Sequence, residues 1–354
     1  MQQKNEKQFS PEETSPTTPP KKRCIFDPSI IEHRERLAAA KPLIEPADVP
    51  FFDIIVPIHH DIKIPVRIYL PKHHQGIMPT LFYIPGTAFI AHEVKFTRVI
   101  CSHIAEKAKC QVIVINHRLA PENPFPDGFL DTYTVFKFFV QKMPEHYLIH
   151  QGQIAIAGYS SGGNFAALMA IQAAKENIQI ARQILISPLV DLSRSLKGFE
   201  VYENQDKTIS EEFVNFFLNL YIPEQMDARD PRLSPFWEKS NACKKLPKTD
   251  IILAQYDRFR SDAEHYAAKL EAAGVISEKL IAPDEDHSYL WYKLEVIEKI
   301  AERLTLAFRP EMIPRSISSH HTISYIKPRL KPISTQTEKE EQATKSPSIL
   351  HAKL

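Results

Sequence analysis

Ser160 stands in Gly158-Tyr159-Ser160-Ser161-Gly162, directly after the apolar run Ile154-Ala155-Ile156-Ala157 and just before an alanine-rich helical pattern over 165–174. A strand that runs into Gly-x-Ser-x-Gly and on into a helix builds a nucleophile elbow, a tight turn holding a serine hydroxyl out at the end of a sheet. Gly158 and Gly162 suit such a turn because side chains there would meet the neighbouring strand and helix, while the serine takes a strained backbone angle. The five-residue pattern alone is common by chance, so the flanking strand and helix carry much of the weight. The plain alternative is a strand–turn–helix whose serines only cap the helix.

A serine hydroxyl needs a base, itself oriented by an acid, before it can attack an acyl carbon. After an elbow these follow in the order Ser, Asp/Glu, His. The run 249–255 reads as a buried strand with Tyr256-Asp257 at its end, then a helical stretch over 261–273 closed by Gly274. A second strand, 278–282, leads into the polar loop Pro283-Asp284-Glu285-Asp286-His287. Asp257 and His287 therefore both follow strand C-terminal ends, the sheet edge where Ser160 also lies and where catalytic groups of open α/β sheets gather.

Further pieces carry a resemblance. They are the run from His117-Arg118-Leu119-Ala120-Pro121-Glu122 to Pro126, Leu185-Ile186-Ser187-Pro188-Leu189-Val190-Asp191, and Asp230-Pro231-Arg232-Leu233-Ser234-Pro235. With the elbow and the stretch 256–274, they make the chain resemble the α/β-hydrolase superfamily, and within it the hormone-sensitive-lipase-like esterases (α/β-hydrolase fold-3), over about 51–308. The resemblance implies Ser160 as nucleophile, His287 as general base and acid, and Asp257 as the residue that orients the imidazole. Asp286 and Asp262 are rival acids at positions that do not match the family's. Packing, not chemistry, is the expected role of Arg118 and Glu122.

The family's His-Gly-Gly-Gly, which supplies oxyanion-hole amides, is here Pro85-Gly86-Thr87-Ala88, followed by Phe89. The resemblance implies a hole built on Gly86, Thr87, Ala88 and the amide of Ser161 at the elbow helix N-terminus. Non-glycine residues at 87 and 88 are strained if these positions need φ > 0. The Thr87 hydroxyl is a potential extra donor. Tyr159 and Ser161 replace the Asp and Ala frequent in family elbows, changes expected to be small where the backbone does the work.

Composition bounds the rest. A 354-residue chain that is 43% hydrophobic and 25% charged can bury a large core. Lys+Arg at 44 against Asp+Glu at 43 gives no global pull toward nucleic acid or an anionic membrane. Cys24, Cys101, Cys110 and Cys243 form no C-x-x-C pair and read as free thiols. No apolar signal core or membrane span is present, so a cytoplasmic location is expected. Glu338, Glu340 and Glu341, followed by Leu350 and Leu354, resemble the C-terminal signals of exported type IV secretion substrates, though a solvated tail is the plainer reading. The pairs His59-His60, His73-His74 and His320-His321 lack acidic or cysteine partners at metal-site spacing and read as loop histidines.

Along the chain, 1–25 and 310–354 are expected to lack structure. Residues 26–309 form the expected α/β domain, a mainly parallel sheet flanked by helices with a helical cap drawn from about 26–45 and 193–248. In the insertion, Phe213, Phe216, Phe217, Leu220 and Tyr221 recur at helical spacing behind Ser210 as N-cap. This stripe either packs on the body or lines an acyl pocket with Phe89, Tyr159, Phe213 and Phe217. The expected activity is hydrolysis of a short- to medium-chain carboxylic ester through an acyl-enzyme, with no cofactor or metal. The expected partner is a small acyl ester, with neither nucleic acid nor integral membrane contact; a homodimer cannot be read from sequence. Two alternatives stay open, an acyltransferase using the same triad and a catalytically silent small-ligand receptor.

Overall fold

The inner strands carry apolar runs because both of their faces are covered. On β3 (Met78–Ile84), Phe82 and Ile84 enter one core while Leu81 and Tyr83 enter the other. On β5 (Ile149–Tyr159), Ile154 and Ile156 part from Ala155 and Ala157 in the same way. This computed structural model describes residues 28–59, 61–196, 202, 205–275, 277–309 and 323–325.

The elements run α1 (Pro28–Ala39), β1 (Phe51–Pro57), β2 (Lys63–Tyr69), β3, α2 (Val94–Ala108), β4 (Gln111–Ile115), α3 (Asp127–Lys137), β5, α4 (Ser161–Lys175) and β6 (Arg182–Ile186). Then come α5 (Glu211–Tyr221), α6 (Ser240–Cys243), β7 (Thr249–Ala254), α7 (Arg260–Ala272), β8 (Ser277–Ala282), α8 (Leu294–Phe308) and β9 (Ile323–Tyr325). The sheet order is β1-β2-β4-β3-β5-β6-β7-β8-β9. The β1–β2 and β2–β4 pairs are antiparallel and the rest are parallel. Alternation of strand and helix forces the parallel pairing, since each crossover needs a helix to return the chain to the same edge. The C-terminal ends of β3, β5, β7 and β8 thereby converge on one edge.

One expectation changes. The stretch from 310 was expected to lack structure, yet Ile323–Tyr325 pairs with Lys279, Leu280 and Ile281 and extends the sheet by one short strand. Three residues amid polar sequence give no period long enough to read. The segment 1–25 with Cys24, together with His60, His320, His321, Glu338, Glu340, Glu341, Leu350 and Leu354, lies outside the described residues. His59, His73 and His74 are exposed, and Cys101, Cys110 and Cys243 are buried free thiols. Among the described residues no helix is long and apolar enough to cross a membrane.

The insertion helix α5 is capped by Ser210, whose hydroxyl accepts the Phe213 amide at 3.2 Å. Its buried stripe is Val214, Phe217, Leu218 and Tyr221, whereas Phe213, Phe216 and Leu220 are only half-buried. The real stripe is rotated by about one residue from the aromatic one because Val214 and Leu218 face the body alongside the rings.

Candidate active site

Ser160 closes β5 and opens α4 with φ 54° and ψ −120°, a conformation that L-residues avoid. The turn is held from both sides. The Ser160 amide donates to the Ile186 carbonyl at 2.9 Å, and its own carbonyl accepts from Asn164 and Leu189. A Cβ at Gly158 would lie 2.0 Å from the Gly162 carbonyl oxygen, and one at Gly162 2.1 Å from that of Ile84. Glycine is thus the residue that fits at both. Asn164 Nδ2 reaches the Leu189 and Leu233 carbonyls at 2.8 Å each, stitching the helix to the two Ser-Pro segments noted in the sequence.

Three of the expected side chains meet. His287 Nε2 lies 2.9 Å from Ser160 Oγ, and His287 Nδ1 lies 3.0 Å from Asp257 Oδ1. Asp257 Oδ1 also accepts the Phe259 amide at 2.8 Å, and all three residues are buried. Burial pushes the His287 imidazolium toward deprotonation, but the Asp257 carboxylate, with Asp206 and Asp286 beyond it, outweighs that and holds the pKa above the ordinary value. Burial likewise opposes the Asp257 charge, and the facing imidazole overcomes it, keeping Asp257 below the usual carboxylate range. With Nδ1–H donated to the carboxylate, Nε2 is left to accept the serine proton.

The rival acids sit apart from this chain of bonds. Asp286 accepts from the Tyr292 hydroxyl at 3.3 Å. Asp262 is buried, and desolvation followed by the nearby Asp191 carboxylate pushes it up to about 8.

Tyr159 and Ser161 act through their side chains, contrary to expectation. The Tyr159 hydroxyl donates to the His287 carbonyl at 2.6 Å, and the two rings stack at 5.3 Å. Ser161 Oγ accepts the amides of Thr87 at 3.0 Å and Phe89 at 3.3 Å. Thr87 therefore turns its amide toward Ser161, and its hydroxyl is committed to the Ala91 carbonyl, so it is not an extra donor. The amides of Ala88 and Ser161 have no acceptor among the described residues. Ala88 and Phe89 both take positive φ, 54° and 64°, the conformation for which glycine is suited. Gly86 cannot be replaced in place, because a Cβ would lie 2.1 Å from the Tyr159 carbonyl oxygen.

A cavity with about 40 Å³ of free space opens over Ser160 and His287. Gly86, Thr87, Ala88, Tyr159, Phe213 and Phe217 line it, as does Trp291. Phe89 does not line it; its ring stacks on Tyr221 at 3.8 Å beneath the cavity wall. α1 contributes His33 and Leu37 to the lining, and the His33 ring rests on Phe213 at 4.9 Å. Arg118 grips Asp131 through several bonds and Glu122 pairs with Arg34 of α1, so the segment after β4 serves packing.

The sequence reading missed Asp206. It is buried beside the triad, and its donor atoms with those of Asp257 and His287 fall within 4.8 Å of one another. This is the one group of potential metal ligands among the described residues. Its atoms are otherwise engaged: Asp206 Oδ1 accepts the amides of Thr208 and Ile209, and Oδ2 accepts that of Arg258 at 3.0 Å. Arg258 returns a bond to the Ile209 carbonyl at 2.8 Å. The insertion is thus strapped to the loop that carries Asp257. Asp-x-Thr before a helix is an Asx-turn signal, but nothing in it announces the distant partner.

The alpha/beta hydrolase fold family matches residues 81–291, the span from β3 to the loop beyond His287. The chain belongs to the α/β-hydrolase fold family. It falls in the hormone-sensitive-lipase-like branch of that family and is a serine hydrolase of the carboxylic-ester type. It is 31% identical over 238 residues to the carboxylesterase NlhH of Mycobacterium tuberculosis, covering 66% of this chain and 73% of that one. An ester hydrolase from the metagenome of Lake Arreo superposes with a TM-score of 0.69 at 27% identity, over 79% of this chain and 89% of the other. The gibberellin receptor GID1A of Arabidopsis thaliana is 26% identical over 280 residues, covering 70% and 77%.

Proposed function

We propose that this hydrolase works through an acyl-enzyme formed on Ser160. Ser160 Oγ attacks the acyl carbon while His287 Nε2 takes its proton, and Asp257 stabilises the imidazolium that results. The amides of Ala88 and Ser161, with Gly86 behind them, hold the oxyanion. Collapse of the tetrahedral species expels the alcohol, which takes the proton back from His287. Water then repeats the sequence on the acyl-serine and releases the acid. The observation that carries this reading is the run of bonds Ser160–His287–Asp257 at 2.9 and 3.0 Å.

A small acyl group is the natural substrate. The free space is small, about 40 Å³, and Leu37, Ile209, Phe213, Phe217, Phe259 and Trp291 supply its apolar walls. α1 and the part of the insertion around α5 serve as the cap, supported by their meeting over the cavity. A fluorophosphonate probe tests the nucleophile. It should label wild type at Ser160 and leave Ser160→Ala unlabelled, with p-nitrophenyl ester turnover falling ~10⁴-fold or more in the variant. One observation favours a second reading, a silent receptor: the Thr87 amide is spent on Ser161. Absence of labelling in folded wild type would decide for the receptor.

A further inference from the structure

His33 is 8% exposed, lines the cavity over Ser160, and accepts or donates no hydrogen bond to any described residue. Its neighbours on the cap side, Leu37, Ile209, Phe213 and Phe217, are apolar. The ring is not a loose end. Arg34, the next residue on α1, donates to the Ile90 carbonyl at 2.7 Å, the Ala120 carbonyl at 3.0 Å and Glu122 at 2.6 and 2.8 Å. Those bonds clamp α1 to the segment behind Ala88, and contact with Phe213 fixes the imidazole from the α5 side. Trp291, also in the lining, has its indole Nε1 buried without a partner among the described residues, while its ring stacks on Phe96 at 4.9 Å.

With no protein partner and a place in the cavity lining, the His33 ring nitrogens are open to a ligand's hydrogen-bonding group. Burial, followed by the Arg36 and Arg34 charges, pushes the His33 pKa down to about 4. At neutral pH the ring therefore offers one N–H donor and one nitrogen acceptor, and no charge. Such a group suits a hydroxyl or carbonyl oxygen and gives an acidic substrate nothing to pair with.

We infer that His33 is a specificity-determining residue, and that the preferred substrate is a small ester bearing a second, neutral hydrogen-bonding group rather than a plain alkyl ester. This rests on the ester-hydrolase reading above.

The test compares matched esters on wild type, His33→Phe and His33→Asn. On the acyl side, p-nitrophenyl 3-hydroxybutyrate is set against p-nitrophenyl butyrate; on the alcohol side, 2-hydroxyethyl butyrate is set against propyl butyrate. Intrinsic reactivity cancels when the polar-to-apolar ratio of kcat/KM is compared between enzymes. In at least one pair the ratio should fall about tenfold or more in His33→Phe, the discrimination expected of a lost hydrogen bond. His33→Asn, which keeps a donor and an acceptor, should recover part of it. Ratios in both pairs unchanged within twofold between wild type and His33→Phe, with both enzymes turning over butyrate, would overturn the inference alone. Failure of wild type to hydrolyse any of the four esters would overturn the hydrolase reading and this inference with it.

Discussion

At position 161 a hydroxyl does what the missing glycines do elsewhere. The segment 86–89 must curl so that its amides face the serine, and Ala88 and Phe89 reach that curl only through positive φ. Each such residue is strained by ~1 kcal/mol or more. Ser161 Oγ holds the curl in place by accepting two of its amides. Two substitutions should then move in opposite directions. Ser161→Ala leaves both buried amides without an acceptor and should destabilise by about 1–3 kcal/mol, lowering kcat more than it changes KM. Ala88→Gly relieves the strained angle and should raise stability by ~1 kcal/mol, seen as a higher melting temperature. Melting curves and p-nitrophenyl butyrate kinetics on the two variants check both signs. A Ser161→Ala enzyme as stable as wild type would mean that the hydroxyl anchors nothing.

At the next scale, the start of α2 is pinned just beyond that curl by an unusual cap. Glu93 is buried, and its carboxyl accepts the amides of Phe96 at 2.6 Å and Thr97 at 3.3 Å. Burial outweighs those bonds and pushes its pKa from the ordinary 4.5 up to about 8. Between these two values the folded chain keeps a proton that the unfolded chain releases, so this residue's share of stability falls as pH rises from 4.5 to 8 and is level above. Glu93→Gln keeps an acceptor and has no proton to lose. Its stability relative to wild type should therefore improve from pH 5 to pH 9, measured by urea unfolding at both. An equal difference at the two pH values would mean that Glu93 ionises normally. Elements of this kind differ in how far sequence reveals them. The strand–elbow–helix and the loops bearing Asp257 and His287 follow from period and punctuation, which are local. The strap from Asp206 to Arg258, the capture of Thr87 by Ser161 and the placing of His33 join residues far apart in sequence. No local pattern encodes them. The Phe89 ring misled for the same reason: its place beside the elbow is local, whereas its burial under Tyr221 depends on how α5 docks.

Across the whole molecule, the catalytic groups and a buried ion network lie at opposite ends of the same strands. Asp257 follows the C-terminal end of β7, while Asp250, second residue of that strand, is fully buried near its N-terminal end. There Arg303 of α8 bonds Asp250 Oδ1 at 3.0 Å, Arg182 of β6 approaches Oδ2 at 3.4 Å, and Arg303 also pairs with Glu278 of β8. This network ties the helix that covers one face of the sheet to three adjacent strands. Removing one member of a buried set leaves the others charged and unpaired, at a cost of roughly 3–5 kcal/mol. Asp250→Ala should accordingly lower the melting temperature by about 10 °C, given the 2–4 °C per kcal/mol typical of large domains. Its kcat at 25 °C should match wild type, because the hydrogen bonds of Ser160, His287 and Asp257 are all made at the other edge. A loss of kcat in the folded variant would show that the two ends of β7 are mechanically coupled. A melting temperature within 2 °C of wild type would show that desolvating the charges already cancels their attraction, and that the apolar contacts of α8 hold the sheet unaided.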